Sequence, residues 1–230
     1  MAFNAQQAKR AQAVIVIAVL VIVAAIAAVV LSGALNPSAP QQAATSDTQT
    51  SSTAADDGSA ATSDEHDMSH VDANYTSTVE ALQEQFDADP TNPSALLQLA
   101  NGYFDWGVSA MSVAQTDEDS AHVTDLLNQA IARYDDYLED NPGSKSVEVD
   151  RAICIFYTGE TDRAIAELEE LVARDDAFGP AWANLGMFYE SEGRTDDAKA
   201  AYERAVDADE NDAYGVKTYA QQRLDALNEG

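Results

Sequence analysis

The chain has 230 residues, a formal net charge of −28 and a sequence pI near 4.1. Lys9 and Arg10 are the only charged side chains before Asp47, so the remainder carries all 40 acids, 10 of the 12 basic residues and a net −30. Such a surface repels nucleic-acid phosphates and anionic lipid headgroups, which excludes DNA, RNA and polybasic membrane contacts.

The first predicted element is a membrane anchor. Ala13 to Leu31 is an unbroken run of 19 residues drawn from Ala, Val, Ile and Leu. At ~1.5 Å per residue it reaches about the 30 Å of a hydrocarbon core, which predicts a transmembrane helix over 13–32. A cleaved signal peptide is the rival, because Ser32-Gly33-Ala34 offers small residues for cleavage. The run is longer than the usual apolar core of a signal peptide, which favours an uncleaved anchor. Lys9 and Arg10 precede it and no Lys or Arg follows until Arg133. The positive-inside rule therefore predicts a single-pass cell membrane protein, with residues 1–12 cytoplasmic and the rest outside.

Residues 33–73 are rich in Ser, Thr, Ala, Gln and Asp and poor in large apolar side chains. They cannot bury enough surface to offset chain entropy, so a disordered acidic linker is expected. Within it, His66, Met68 and His70 are spaced so that they could ligate copper, with Asp64, Glu65 and Asp67 nearby. The alternative is a solvated polar tract with incidental histidines.

From Asn74 onward, helical periodicity with regular punctuation predicts an all-α domain over 74–230. Trp182-Ala-Asn-Leu185-Gly186-Met-Phe-Tyr189 has the W-x2-L-G-x2-Y pattern of a first helix. Ala198 and Tyr202 follow at second-helix spacing, with Gly193 at the turn and Thr195 placed to cap. Residues 179–212 thus resemble a tetratricopeptide repeat, with Glu210 where that repeat expects its closing Pro, so the exit turn is less rigidly specified. Small residues at Gly186, Ala198 and Ala205 face large ones at Trp182, Leu185, Tyr189 and Tyr202. A helix pair cannot bury such a face alone, so neighbours must stack.

A register shift of about 34 residues yields a degenerate unit at 145–178, with Glu148 and Arg151 in place of the Trp and Leu. An expanded unit spans 93–142: Leu96, Leu99, Ala100 and Tyr103 open it and Ala130, Tyr134 and Tyr137 close it. Tyr103 to Ala130 is 27 residues against 9 for Tyr189 to Ala198, so both helices should be longer, with Asp117–Ser120 at the polar tip. A half repeat at 74–90 and a cap helix at 213–228 complete an expected α-solenoid of about eight helices without strands.

An anchor, a long acidic linker and a few degenerate repeats are similar to the membrane-anchored tetratricopeptide proteins grouped with c-type cytochrome biogenesis factors. The segment Asp89-Pro-Thr-Asn-Pro-Ser-Ala-Leu-Leu-Gln-Leu-Ala, continuing to Tyr103, carries that likeness. It implies binding of apocytochrome or of the haem-ligation machinery.

No catalytic motif is present: the sequence lacks G-x-S-x-G, H-E-x-x-H, a P-loop and C-x-x-C. Neither an enzyme nor a cofactor is expected. Asp135-Asp136 and Glu169-Glu170 read as solvated faces, and His122 as exposed. The single cysteine, Cys154, lies in an apolar run and reads as a small buried hydrophobe. Helical repeats bind partners on the concave side, lined by first helices. The inward positions are Leu97, Asn101 and Phe104; Val149, Ile153 and Phe156; and Asn184, Met187 and Glu190. Most are apolar and none is basic, so the expected partner is an apolar or amphipathic peptide or protein helix rather than an acidic tail. The alternative is that the protein's own cap helix or long hairpin fills this groove.

Overall fold

The computed structural model describes residues 67–229. The expected transmembrane helix, most of the linker and His66 lie outside the described residues. Those described form eight helices and no strand: α1 Met68–Ala88, α2 Pro93–Val113, α3 Asp117–Asp140, α4 Lys145–Tyr157, α5 Thr161–Arg174, α6 Gly179–Ser191, α7 Thr195–Ala208 and α8 Val216–Glu229. None of these is long and apolar enough to cross a membrane.

Consecutive helices pack against each other along the whole series, and α4 also touches α6, as α6 touches α8. This is a one-dimensional stack in which each element meets its neighbours. The long hairpin is present, with 21 residues in α2 and 24 in α3 against 13 or 14 in α4 to α8.

Local chemistry sets the element ends. Asn92 accepts from the backbone N–H of Ser94 and Ala95, ahead of Pro93 at the first helical position. Gly159 and Gly193 take φ of +92° and +74° between paired helices, a region other residues enter only with strain. Small residues admit large ones across the stack. A Cβ built on Gly186 would lie 2.7 Å from the ring of fully buried Tyr202, and one on Gly107 would lie 2.8 Å from Leu127 Cδ2. Trp182 is half-buried, donates its indole N–H to Asp176 O at 2.9 Å and lies under the guanidinium of Arg204 from α7.

The structure corrects several expectations. The linker does not run to residue 73, because α1 begins at Met68, where the Asp67 carboxylate caps the backbone N–H of His70. Asp72 then anchors this extra turn. Its Oδ1 accepts from the Trp106 indole at 2.7 Å and lies 3.0 Å from His122 Nε2, so His122 is half-buried and bonded rather than freely exposed. Asp117–Ser120 does lie at the tip of the hairpin, as the first turn of α3. Thr116 and Asp119 form a reciprocal capping box, and three acids in that turn complement the helix dipole. Thr195 is the first residue of α7 and does not cap it; the capping position is Arg194, which makes no side-chain cap bond.

The exit from α7 is firmly held despite the missing Pro. Asp209, 4% exposed, accepts from the backbone N–H groups of Ala213, Tyr214 and Val216. Asp212, at φ +54°, accepts from the N–H and hydroxyl of Thr218. Nor are the acidic pairs purely solvated: Asp135 lies 2.5 Å from Arg151 Nε, and Glu169 accepts the Tyr189 hydroxyl at 2.6 Å. The same Arg151 reaches Glu167 at 2.7 Å, and Glu148 pairs with Arg174. The two positions where the 145–178 unit departs from the repeat pattern thus exchange apolar packing for ion pairs.

Candidate binding groove

The nine inward positions sort into two ends. At the C-terminal end, Met187 is buried and Phe156 stacks on Phe188, with ring centroids 4.2 Å apart and planes 6° from parallel. Glu190 is occupied from α8. It accepts from Arg223 and also takes the Tyr202 hydroxyl at 3.0 Å. Tyr219 of α8 meets Tyr202 edge-on at 6.0 Å. The cap helix therefore brings to Glu190 the basic residue that the repeat positions lack. Asn184 is half-buried and donates its amide to Pro180 O at 2.8 Å, one turn back on its own helix.

Toward the N-terminal end, Val149 and Ile153 on α4 and Phe104 on α2 are buried, while Leu97 is half-buried and Asn101 exposed. Asn101 Oδ1 accepts the hydroxyl of buried Tyr134 at 2.8 Å. Two residues the sequence reading passed over lie in this neighbourhood: Asp105 on α2 and Asp150 on α4. Both are half-buried, and neither forms an ion pair with any Lys or Arg among the described residues. Burial, with the charge of Asp105 added, pushes the Asp150 carboxyl up to about 7. Burial also raises Asp105. One signal was present in the sequence: Asp150 precedes Asn184 by 34 residues, so it occupies an inward register position.

Two groups with reactive side chains are held in other roles among the described residues. Cys154 is fully buried and its thiol is pushed well up by burial, the opposite of an activated nucleophile. Asp72 and His122 are paired, but their further bonded partner is an indole N–H, not a nucleophile.

Residues 179–212 match the tetratricopeptide repeat family. The match covers α6, α7 and the turn that Asp209 closes. Among solved structures, MamA is similar at 21% identity, over 68% of this chain and 88% of that one, with a TM-score of 0.47. A thermophilic tetratricopeptide repeat protein of Thermus thermophilus is similar at 20% identity, over 69% and 92%, with a TM-score of 0.46. YrrB, described as a tetratricopeptide repeat protein with an unusual peptide-binding site, is similar at 13% identity, over 65% and 84%, with a TM-score of 0.37. None of these likenesses speaks to what this chain binds. No curated protein matches the sequence.

Of the proposed metal ligands, Met68 and His70 fall on α1. Two residues apart on a helix they point about 200° from each other. Met68 packs against the core while His70 is exposed, so these two do not converge. Among the described residues no three His, Cys, Asp or Glu side chains gather where they could hold a metal ion.

Proposed function

We propose that this chain is a membrane-anchored interaction scaffold, held by the 13–32 helix with its repeat domain outside the cytoplasm. It captures an amphipathic segment of a protein partner on the inner wall between α2 and α4. One observation supports this choice of end. The C-terminal end of the inner wall is closed by the protein's own α8 through Arg223 and Glu190, while among the described residues no ion pair closes over exposed Asn101 and half-buried Leu97, Asp105 and Asp150. Leu97 beside the polar groups of Asn101, Asp105 and Asp150 offers an amphipathic helix one apolar contact and several polar ones.

A photo-crosslinking amino acid at Leu97 in the full chain, in native membranes, tests the groove. The same group at exposed Ala132 on α3 is the control. A discrete protein crosslinked from position 97 and absent from 132 is expected; equal or no crosslinking from both overturns the groove. If the captured protein is an apocytochrome, the scaffold serves cytochrome maturation, and any other envelope protein gives it a more general assembly role. Placement is tested separately with a C-terminal reporter active only outside the cytoplasm. Activity is expected there, and activity of a cytoplasmic reporter instead reverses the orientation.

A further inference from the structure

Away from the groove, a cleft of about 420 Å³ opens between α1 and α2. Buried Val79 lies in its lining, with Glu80 and Glu84 of α1 on one side and Tyr103 and Trp106 of α2 on the other. Residues 80 and 84 are one helical turn apart, as are 103 and 106 nearly so, so two carboxylates face two aromatic rings. Gly102 permits this approach of the helices: a Cβ there would lie 2.8 Å from Leu82 Cδ1.

The Trp106 ring is held before anything binds. Its N–H is fixed on Asp72 at 2.7 Å, Tyr75 stacks on it at 6.4 Å and 12°, and His122 meets it edge-on at 5.9 Å. The Tyr75 hydroxyl is in turn bonded to Ser109 at 2.8 Å. Rigid rings lose little entropy on binding.

α1 contains no Lys or Arg, and among the described residues neither Glu80 nor Glu84 forms an ion pair. Where cations do meet aromatic rings in this molecule, the chain supplies them itself, as with Arg194 over Tyr189 and Arg204 over Trp182. Both of those rings also have a carboxylate close by, Glu169 on the Tyr189 hydroxyl and Asp176 on Arg204. Among the described residues, the α1–α2 cleft has the rings and the carboxylates without the cation.

We propose that this cleft receives an arginine side chain of a partner protein, its guanidinium lying against Tyr103 and Trp106 and donating to Glu80 and Glu84. A planar guanidinium both stacks on aromatic faces and offers forked donors, which a lysine ammonium does not. Phosphate and carboxylate ligands are repelled by the same two glutamates. The site is separate from the groove and stands or falls without it.

The chain has two tryptophans, so indole ¹⁵N labelling of the full-length protein in detergent gives two resonances, Trp106 and Trp182. The probe is N-acetyl-arginine amide, with the citrulline analogue as a neutral isostere and the lysine analogue as a non-planar cation. Arginine should shift the Trp106 resonance saturably and leave Trp182 unmoved, with lysine weaker and citrulline silent. E80Q/E84Q should weaken arginine binding about fivefold or more. E203Q/D207N removes the same charge from an exposed face of α7 and should leave binding unchanged. An unmoved Trp106, equal shifts from citrulline or lysine, or equal losses in both double variants would overturn the proposal.

Discussion

Gly186 and Tyr202 show how one absent methyl can set the spacing of a helix pair. The Tyr202 ring occupies the space a Cβ on Gly186 would need, at 2.7 Å, and the tyrosine is fully buried. Gly186→Ala must therefore push the ring or the helix, a kind of overpacking that costs roughly 1–3 kcal/mol. The expected result is a fall in Tm of about 3–10 °C by circular dichroism. Gly186→Ala with Tyr202→Leu should recover part of the loss, and no recovery would mean the clash is not with that ring. Asp150 gives a second residue-scale prediction. The groups facing it are Asp105 from α2, Tyr134 from α3 and Cys154 on its own helix, all acids, with no cation among them. Burial first, and Asp105 second, raise its native carboxyl to about 7, above its unfolded value. Between those two values the native state holds the proton more tightly, so stability falls as pH rises and the full penalty is present above 7. Asp150→Asn removes that titration. Its stability relative to the parent should be near zero at pH 4 and favourable by ~2–4 kcal/mol at pH 8. Urea unfolding of both proteins at the two pH values checks this, and a gain independent of pH would refute it.

At the scale of elements, the two ends of the stack are secured by carboxylates that cap or bridge rather than by apolar burial alone. α1 has one buried residue, Val79, so its docking leans on the Asp72 carboxylate between Trp106 and His122. Asp72→Ala leaves the indole N–H without its partner, which costs ~1–3 kcal/mol. Because α1 touches mainly α2, the loss should stay local. Hydrogen exchange should speed up in residues 68–80 while α6 and α7 keep their protection, and uniform acceleration would contradict a local role. α8 is tied in another way. The Asp209 carboxylate takes three backbone N–H groups of the segment leading into it, and so holds the turn from the position before Glu210, where the repeat pattern expects Pro. The first of these devices explains why the sequence misplaced the start of α1. Periodicity finds the body of a helix through its apolar stripe, but α1 begins in a stretch with almost no stripe, and its start depends on Asp72 meeting Trp106 and His122, 34 and 50 residues further on.

Across the whole molecule, legibility followed repetition. The Trp182 to Ala205 pattern could be read directly, because each position meets a neighbour at a spacing set by helix geometry, and the long hairpin followed from counting residues between Tyr103 and Ala130. The inner wall was harder to read. Inward register picked out Val149, Ile153 and Met187, but it could not show that they are buried, that Arg223 closes over Glu190, or that Asp105 and Asp150 share one region. Those facts depend on how one unit sits on the next, which no single repeat encodes. The cap helix makes this testable. α8 covers Tyr202 through Tyr219, adds the buried Val216 and Ala220, and neutralises Glu190, itself only 21% exposed. A charge left at Glu190 without Arg223 costs more than a surface pair would gain. Arg223→Glu should therefore destabilise by ~2–4 kcal/mol, and Glu190→Arg in the same chain should restore part of it. Deleting 213–230 should cost more than either, because it also uncovers the apolar end of the stack, and should raise binding of a hydrophobic dye. If the charge swap restores nothing while the deletion is silent in both assays, α8 is an appendage and the stack ends at α7.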